Sequence, residues 1–147
     1  MLKINLINIL FLGSILFIVR LTMFPESSLG IGTGKCGINL VPFYTIADLL
    51  FHQSFSDFIV NNVGNILLFV PFGFLLSIKF KNINSVPKGF LIGMMCSIGM
   101  MCSISIEVVQ LFMPNRCTDI DDVILNTLGT GIGYSVFKKI NKSYELR

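Results

Sequence analysis

A chain of 147 residues that is 53% hydrophobic and only 13% charged, with a mean hydropathy of +0.79, lacks the polar surface a soluble domain of this size needs to cover itself. Composition therefore excludes an ordinary soluble fold and points to a membrane protein, with room for one domain of roughly four spans at about 20 residues each. The net charge of +3 is too small to suggest nucleic acid as a partner.

The first apolar segment, residues 4–24, is broken only by Asn5, Asn8, Ser14, Thr22 and Arg20. The arginine lies near one end, where its long stem can snorkel to the headgroups. A lysine followed by an apolar run also suits a signal peptide, but no small-x-small cleavage pattern follows it. The loop from Pro25 to Phe58 comes next. Its stretch "INLVPFYTIADLLFHQSFSDFIVNNVGN", residues 38–65, is rich in Phe, Leu and Ile, yet Asp48, His52, Gln53 and Asp57 interrupt it too often for a span. Two readings fit equally: an amphipathic or re-entrant segment against the outer leaflet, or a short helix covering the bundle ends. His52 has no second His or Cys at ligand spacing and is not read as a metal ligand.

The second span is expected at 59–78, holding Asn61, Asn62, Asn65 and Pro71, and the third at 89–113, with Glu107 and Gln110 near its far end. A fourth, 121–139, reaches a usable length only if it starts at Asp121 or Asp122 and runs into Lys138 and Lys139. The fold expected is an all-α bundle of four transmembrane helices forming a single domain over residues 1–147. Placing both termini inside puts Lys3, Lys79, Lys81, Lys88, Lys138, Lys139, Lys142 and Arg147 in the cytoplasm and only Arg20, Lys35 and Arg116 outside. The positive-inside rule thus favours N-in, C-in, with the outer loop and the charged stretch "RCTDIDD" on the far face.

Glu107 and Gln110 share a helix face, and Ser103 joins them one turn earlier. A carboxylate near hydrocarbon must be protonated, paired or facing water. Arg116 is the expected partner, folding back over the helix mouth to Glu107 or pairing with Asp119, Asp121 or Asp122. A purely structural reading has these charges staple helices three and four and cap the latter. One aspartate would serve as a cap, however, and here are three, with Glu107, Arg116, Asn126 four residues beyond Asp122, and Asn65 from another helix. So many ionisable groups at membrane depth argue for a functional site. Gly129 and Gly133, at small-xxx-small spacing, read as helix packing. "DIDD" lacks the loop and further ligands of a metal site, so neither metal nor cofactor is expected. Cys96 and Cys102 read as small apolar fillers. Cys36 and Cys117 both fall on the outer side, where a disulfide can form, although one side of a membrane does not guarantee bonding distance.

Three blocks, "NILLFVPFG" (Asn65, Phe69, Pro71, Gly73), "IEVVQ" (Glu107, Gln110) and "RCTDIDDVILNTLGTGIGY" (Arg116, Asp119, Asp122, Asn126, Gly129), resemble in order and spacing the signature of the VanZ-like family; "NLVPF" at Asn39–Phe43 resembles a weaker fourth block. The resemblance runs from about residue 38 to 134. It implies a small multi-pass protein of the bacterial cell membrane, the founding member of the family being an accessory protein that lowers susceptibility to the glycopeptide teicoplanin. Two mechanisms then compete. In one, Asn65, Glu107, Gln110, Arg116, Asp119, Asp122 and Asn126 line an outer-leaflet pocket that binds a lipid headgroup, a cell-wall precursor or a lipidated glycopeptide. In the other, an intramembrane enzyme modifies a lipid or envelope substrate, with Glu107, Asp119 or Asp122 as acid or base and Arg116 holding an oxyanion.

Overall fold

The computed structural model describes residues 2–24, 37–81, 87–113 and 116–145. Four long helical stretches dominate: α1 (Leu2–Met23); a continuous run made of α3 (Phe55–Phe58), a π-helical turn (Ile59–Val63) and α4 (Gly64–Lys79); α5 (Lys88–Gln110); and α6 (Ile120–Glu145). The short α2 (Tyr44–His52) precedes α3. The second helix starts four residues before the expected position, and the cause is a cap. Ser54 Oγ accepts the Asp57 N–H at 3.2 Å and donates to its carboxylate at 2.6 Å, a reciprocal arrangement that satisfies an otherwise orphaned amide. In the π turn Asn61 and Asn62 donate side-chain amides to the carbonyls of Asp57 (2.8 Å) and Phe58 (3.2 Å). The helix continues through Pro71, which lacks an N–H to give.

Among the described residues three helices are long and apolar enough to cross a membrane: Leu6–Met23, Phe55–Lys79 and Gly89–Gln110. Their outer faces expose Leu6, Ile9, Leu12, Leu16, Leu67, Met101 and Val108, the pattern of a surface that meets hydrocarbon rather than water. At 26 residues and about 1.5 Å per residue, α6 is long enough too. It is less apolar because its inward face carries Asp121, Asn126, Gly129, Thr130 and Gly133 where the others carry bulky hydrocarbon.

The packing of α6 explains those small residues. A Cβ on Gly129 would run into the Ile66 carbonyl, and one on Gly133 into the Val70 carbonyl. On the facing helix a Cβ at Gly73 would meet the Thr130 backbone, and one at Gly99 of α5 the Thr130 hydroxyl. Helices α4 and α6 therefore touch backbone to backbone, with the fully buried Thr130 wedged between glycines of two neighbours. An apolar core of Phe69, Phe72, Leu76, Met95, Ile106 and Tyr134 completes the bundle, and Phe11 stacks on Phe72 at 5.5 Å to bring α1 against α4.

One element departs from the all-α expectation. Strand β1 (Ile38–Asn39) pairs in parallel with β2 (Thr118–Asp119), Ile38 opposite Thr118 and Asn39 opposite Asp119, and Thr118 N extends the ladder to the Gly37 carbonyl at 3.2 Å. Two residues per strand leave no alternation for sequence periodicity to find.

A polar cavity at the helix ends

The C-termini of α1 and α5 and the N-termini of α4 and α6 meet at one end of the bundle, where α2 and the β ladder lie across them. The turn 116–119 is tied to α5 by two reciprocal bonds. Thr118 Oγ1 donates to the Glu107 carbonyl at 3.2 Å, which also accepts the Leu111 N–H at 3.1 Å, and the Glu107 carboxylate accepts the Asp119 N–H at 2.8 Å. Buried Glu107 is thus engaged by backbone, and among the described residues it makes no ion pair with Arg116.

Arg116 goes elsewhere. Its guanidinium donates to the carbonyls of Leu21, at 3.0 Å, and Thr22, the last turn of α1, where a cation complements the negative end of the helix dipole. Gln110 Nε2 reaches the same Thr22 carbonyl at 2.8 Å. Among the described residues the expected pairing of Arg116 with Glu107 or with Asp119, Asp121 or Asp122 is therefore replaced by a clamp from 110 and 116 onto the end of α1, a partner that neither spacing nor charge could reveal. Burial lowers the Arg116 pKa from its ordinary value, and the nearby Asp122 pushes the other way. Arg116 Nε and Gln110 Oε1 are buried without a hydrogen-bond partner.

Each aspartate of "DIDD" has a separate task. Asp119 Oδ1 accepts from Asn39 Nδ2 at 2.9 Å and from the Asp121 N–H at 2.9 Å; Asn39 Nδ2 also reaches Thr45 Oγ1 at 3.0 Å. Asp121 is almost fully buried and accepts the N–H groups of Phe43 and Ile46, the latter at 3.1 Å. It supplies from α6 the N-terminal cap that α2 does not supply itself, because Phe43 occupies the cap position in a left-handed conformation (φ 65°), unusual for a bulky side chain. Asp122 Oδ1 accepts from Asn65 Nδ2 at 2.6 Å, joining α6 to α4. Asn126 lies deeper and bonds Ser103 Oγ at 2.8 Å, a buried link between α5 and α6.

These groups surround a cavity of about 1070 Å³. Of the residues expected at a site, Asn65, Gln110, Arg116, Asp119 and Asp122 line it, whereas Glu107 sits behind the β2 backbone and Asn126 beneath, in the helix interface. Asn39, Thr45, Asp48, Asp57, Asn61 and Asp121 join the polar wall; Phe17, Leu21, Val60, Leu67 and Leu68 make the wall apolar toward the bundle. Of these additional residues Asn39 is marked in the sequence by "NLVPF" and Asp121 by its place among the three aspartates, whereas Thr45, Asp48, Asp57 and Asn61 carry no sequence signal for a site. His52 is outside the lining and pairs with Asp48 one turn earlier on α2, at 3.3 Å. No cluster of three metal-ligating side chains occurs among the described residues. Of the expected disulfide partners, Cys36 lies outside the described residues.

Residues 10–141 match the family model described as VanZ/LLP1. Protein VanZ of Enterococcus faecium is 35% identical over 80 residues, 54% of this chain, and the chain spans 45% of that relative's length. No solved structure matches.

Proposed function

The chain belongs to the VanZ/LLP1 family, and from that premise and the cavity we propose a membrane-level binding protein that lowers susceptibility to teicoplanin-type glycopeptides. In this reading α6 is a fourth span, both termini are cytoplasmic and the cavity opens at the outer leaflet of a bacterial cell membrane. The positive-inside bias supports that orientation. The carrying observation is the two-sided wall: carboxylates, amides and one guanidinium at the helix ends, and Phe17, Leu21, Leu67 and Leu68 below them. Such a cavity suits an amphiphile, with its headgroup among the polar residues and its chain along α1 and α4. A membrane lipid, a cell-wall precursor and a lipidated glycopeptide all have that form.

Catalysis has less support. The strongest acid–base candidate, Glu107, is buried outside the cavity with its carboxylate engaged by the Asp119 amide, out of reach of anything bound there. Asp119 and Asp122 remain on the wall, so an enzyme would rest on them and Arg116.

The test is growth inhibition of cells expressing the wild type or an Asn65→Leu, Leu68→Trp variant that fills the cavity. The wild type should lower teicoplanin susceptibility with little effect on a glycopeptide lacking the acyl chain, and the filled variant should lose that protection at equal membrane abundance. Full protection by the filled variant would refute the cavity as the working part.

A further inference from the structure

Charge on the cavity wall is unevenly distributed. Among the described residues five carboxylates line it, Asp48, Asp57, Asp119, Asp121 and Asp122, against one guanidinium. Uncompensated carboxylates away from bulk water are costly unless protonated or matched by a cation. The bonds described above match the inner three with neutral groups only: the amides of Asn39 and Asn65 and backbone N–H donors. Arg116 is committed to the carbonyls at the end of α1. Among the described residues the second oxygens of Asp119 and Asp122 accept no hydrogen bond.

A second observation points the same way. Gln110, 6% exposed, lines the cavity with its Oε1 lacking any donor. A buried amide oxygen left unsatisfied costs about 1–3 kcal/mol, and what would satisfy it is a donor. The polar wall thus has acceptors in excess. The carboxylates do not converge at metal-ligand spacing among the described residues, so the wall suits an organic cation with several N–H donors better than a point ion. Arg116 Nε, without a partner, offers one donor for an oxyanion.

We propose that the amphiphile this cavity takes carries a protonated amine in its headgroup, beside an oxyanion that faces Arg116. The proposal rests on reading the cavity as an amphiphile site. An aminophospholipid and the free amine of a lipidated glycopeptide share this chemistry.

The experiment measures retention by the purified full chain in native mass spectrometry. One arm compares phosphatidylethanolamine with N-acetyl phosphatidylethanolamine of identical chains; the other compares teicoplanin with N-acetylated teicoplanin. The amine form should be held about tenfold more tightly, the worth of one charge-assisted hydrogen bond. The preference should shrink toward unity in Asp122→Asn. Because that variant also alters the Asn65 contact, Asp48→Asn with Asp57→Asn, at the outer rim, supplies a second measure and should reduce it severalfold. Preference in the lipid arm alone identifies a headgroup as the ligand, preference in the teicoplanin arm alone identifies the glycopeptide, and either supports the amine. Equal retention of both forms in both arms overturns the amine while leaving the amphiphile reading intact. Retention of none of the four probes overturns both.

Discussion

Helix α6 builds two opposite environments within three turns. Around Gly129, Thr130 and Gly133 it is in backbone contact with α4, dry and without room for a methyl group. Around Asp121 and Asp122 it borders a cavity of about 1070 Å³ whose polar groups are held apart by one or two specific bonds each. The first region gains stability from closeness and the second keeps space open by anchoring its walls from outside. Substitutions should therefore act through volume in one and through hydrogen bonding in the other.

The largest effect is expected at the packed region. Gly133→Leu or Gly129→Val would force α4 and α6 apart, and overpacking of this kind costs about 1–3 kcal/mol or more. Thermal unfolding in detergent should show early melting and loss of all binding together. In the cavity region, Asp121→Ala should leave the bundle folded but release α2, since it removes two bonds from backbone donors at a cost of about 1–3 kcal/mol. Hydrogen exchange should rise over residues 43–52 while α4 and α6 stay protected; a global rise would show that the two regions are not separable. Glu107 sharpens the contrast further. A glutamine there still offers a carbonyl oxygen to the Asp119 N–H, so Glu107→Gln should retain teicoplanin protection while Glu107→Ala loses part of it. Abolished protection in a well-folded Glu107→Gln would restore the carboxylate to a chemical role. Arg116→Lys should weaken the hold on α1 by about 1 kcal/mol, because a point charge replaces a planar fork. Crosslinking between residues 22 and 116 would register it as increased α1 mobility. The smallest effect is expected for His52→Ala, whose exposed pair with Asp48 contributes little.

Elements of the packed region could be read from the chain with little loss. Hydrophobic runs placed the long helices to within a few residues, and the glycine spacing at 129 and 133 named the close approach. The cavity region was legible only as a list of participants. Polar residues at membrane depth drew attention to Asn65, Gln110, Arg116, Asp119 and Asp122, which line the cavity, and also to Glu107 and Asn126, which do not. Residue type could not separate the two sets, because a buried carboxylate bonded to a backbone amide and one facing a cavity have the same letter. Pairings were least legible. Arg116 binds carbonyls, and carbonyls are present at every position of every sequence. Asp121 caps a helix that begins 77 residues before it, a contact set by tertiary approach rather than by local capping rules.

The π turn at Ile59–Val63 carries a consequence for insertion and deletion. Such a turn accommodates one residue more than a regular coil, so excising one position there would tighten it into an ordinary α-helical turn and leave the segments on either side close to their present phase. The same excision within Gly64–Lys79 would instead swing everything upstream by about 100° around the axis. With the π turn so shortened, Asn65 would stay opposite Asp122, and Asp57 and the Ser54 cap would stay near the cavity mouth. A chain shortened by that single residue would keep both its bundle and its rim.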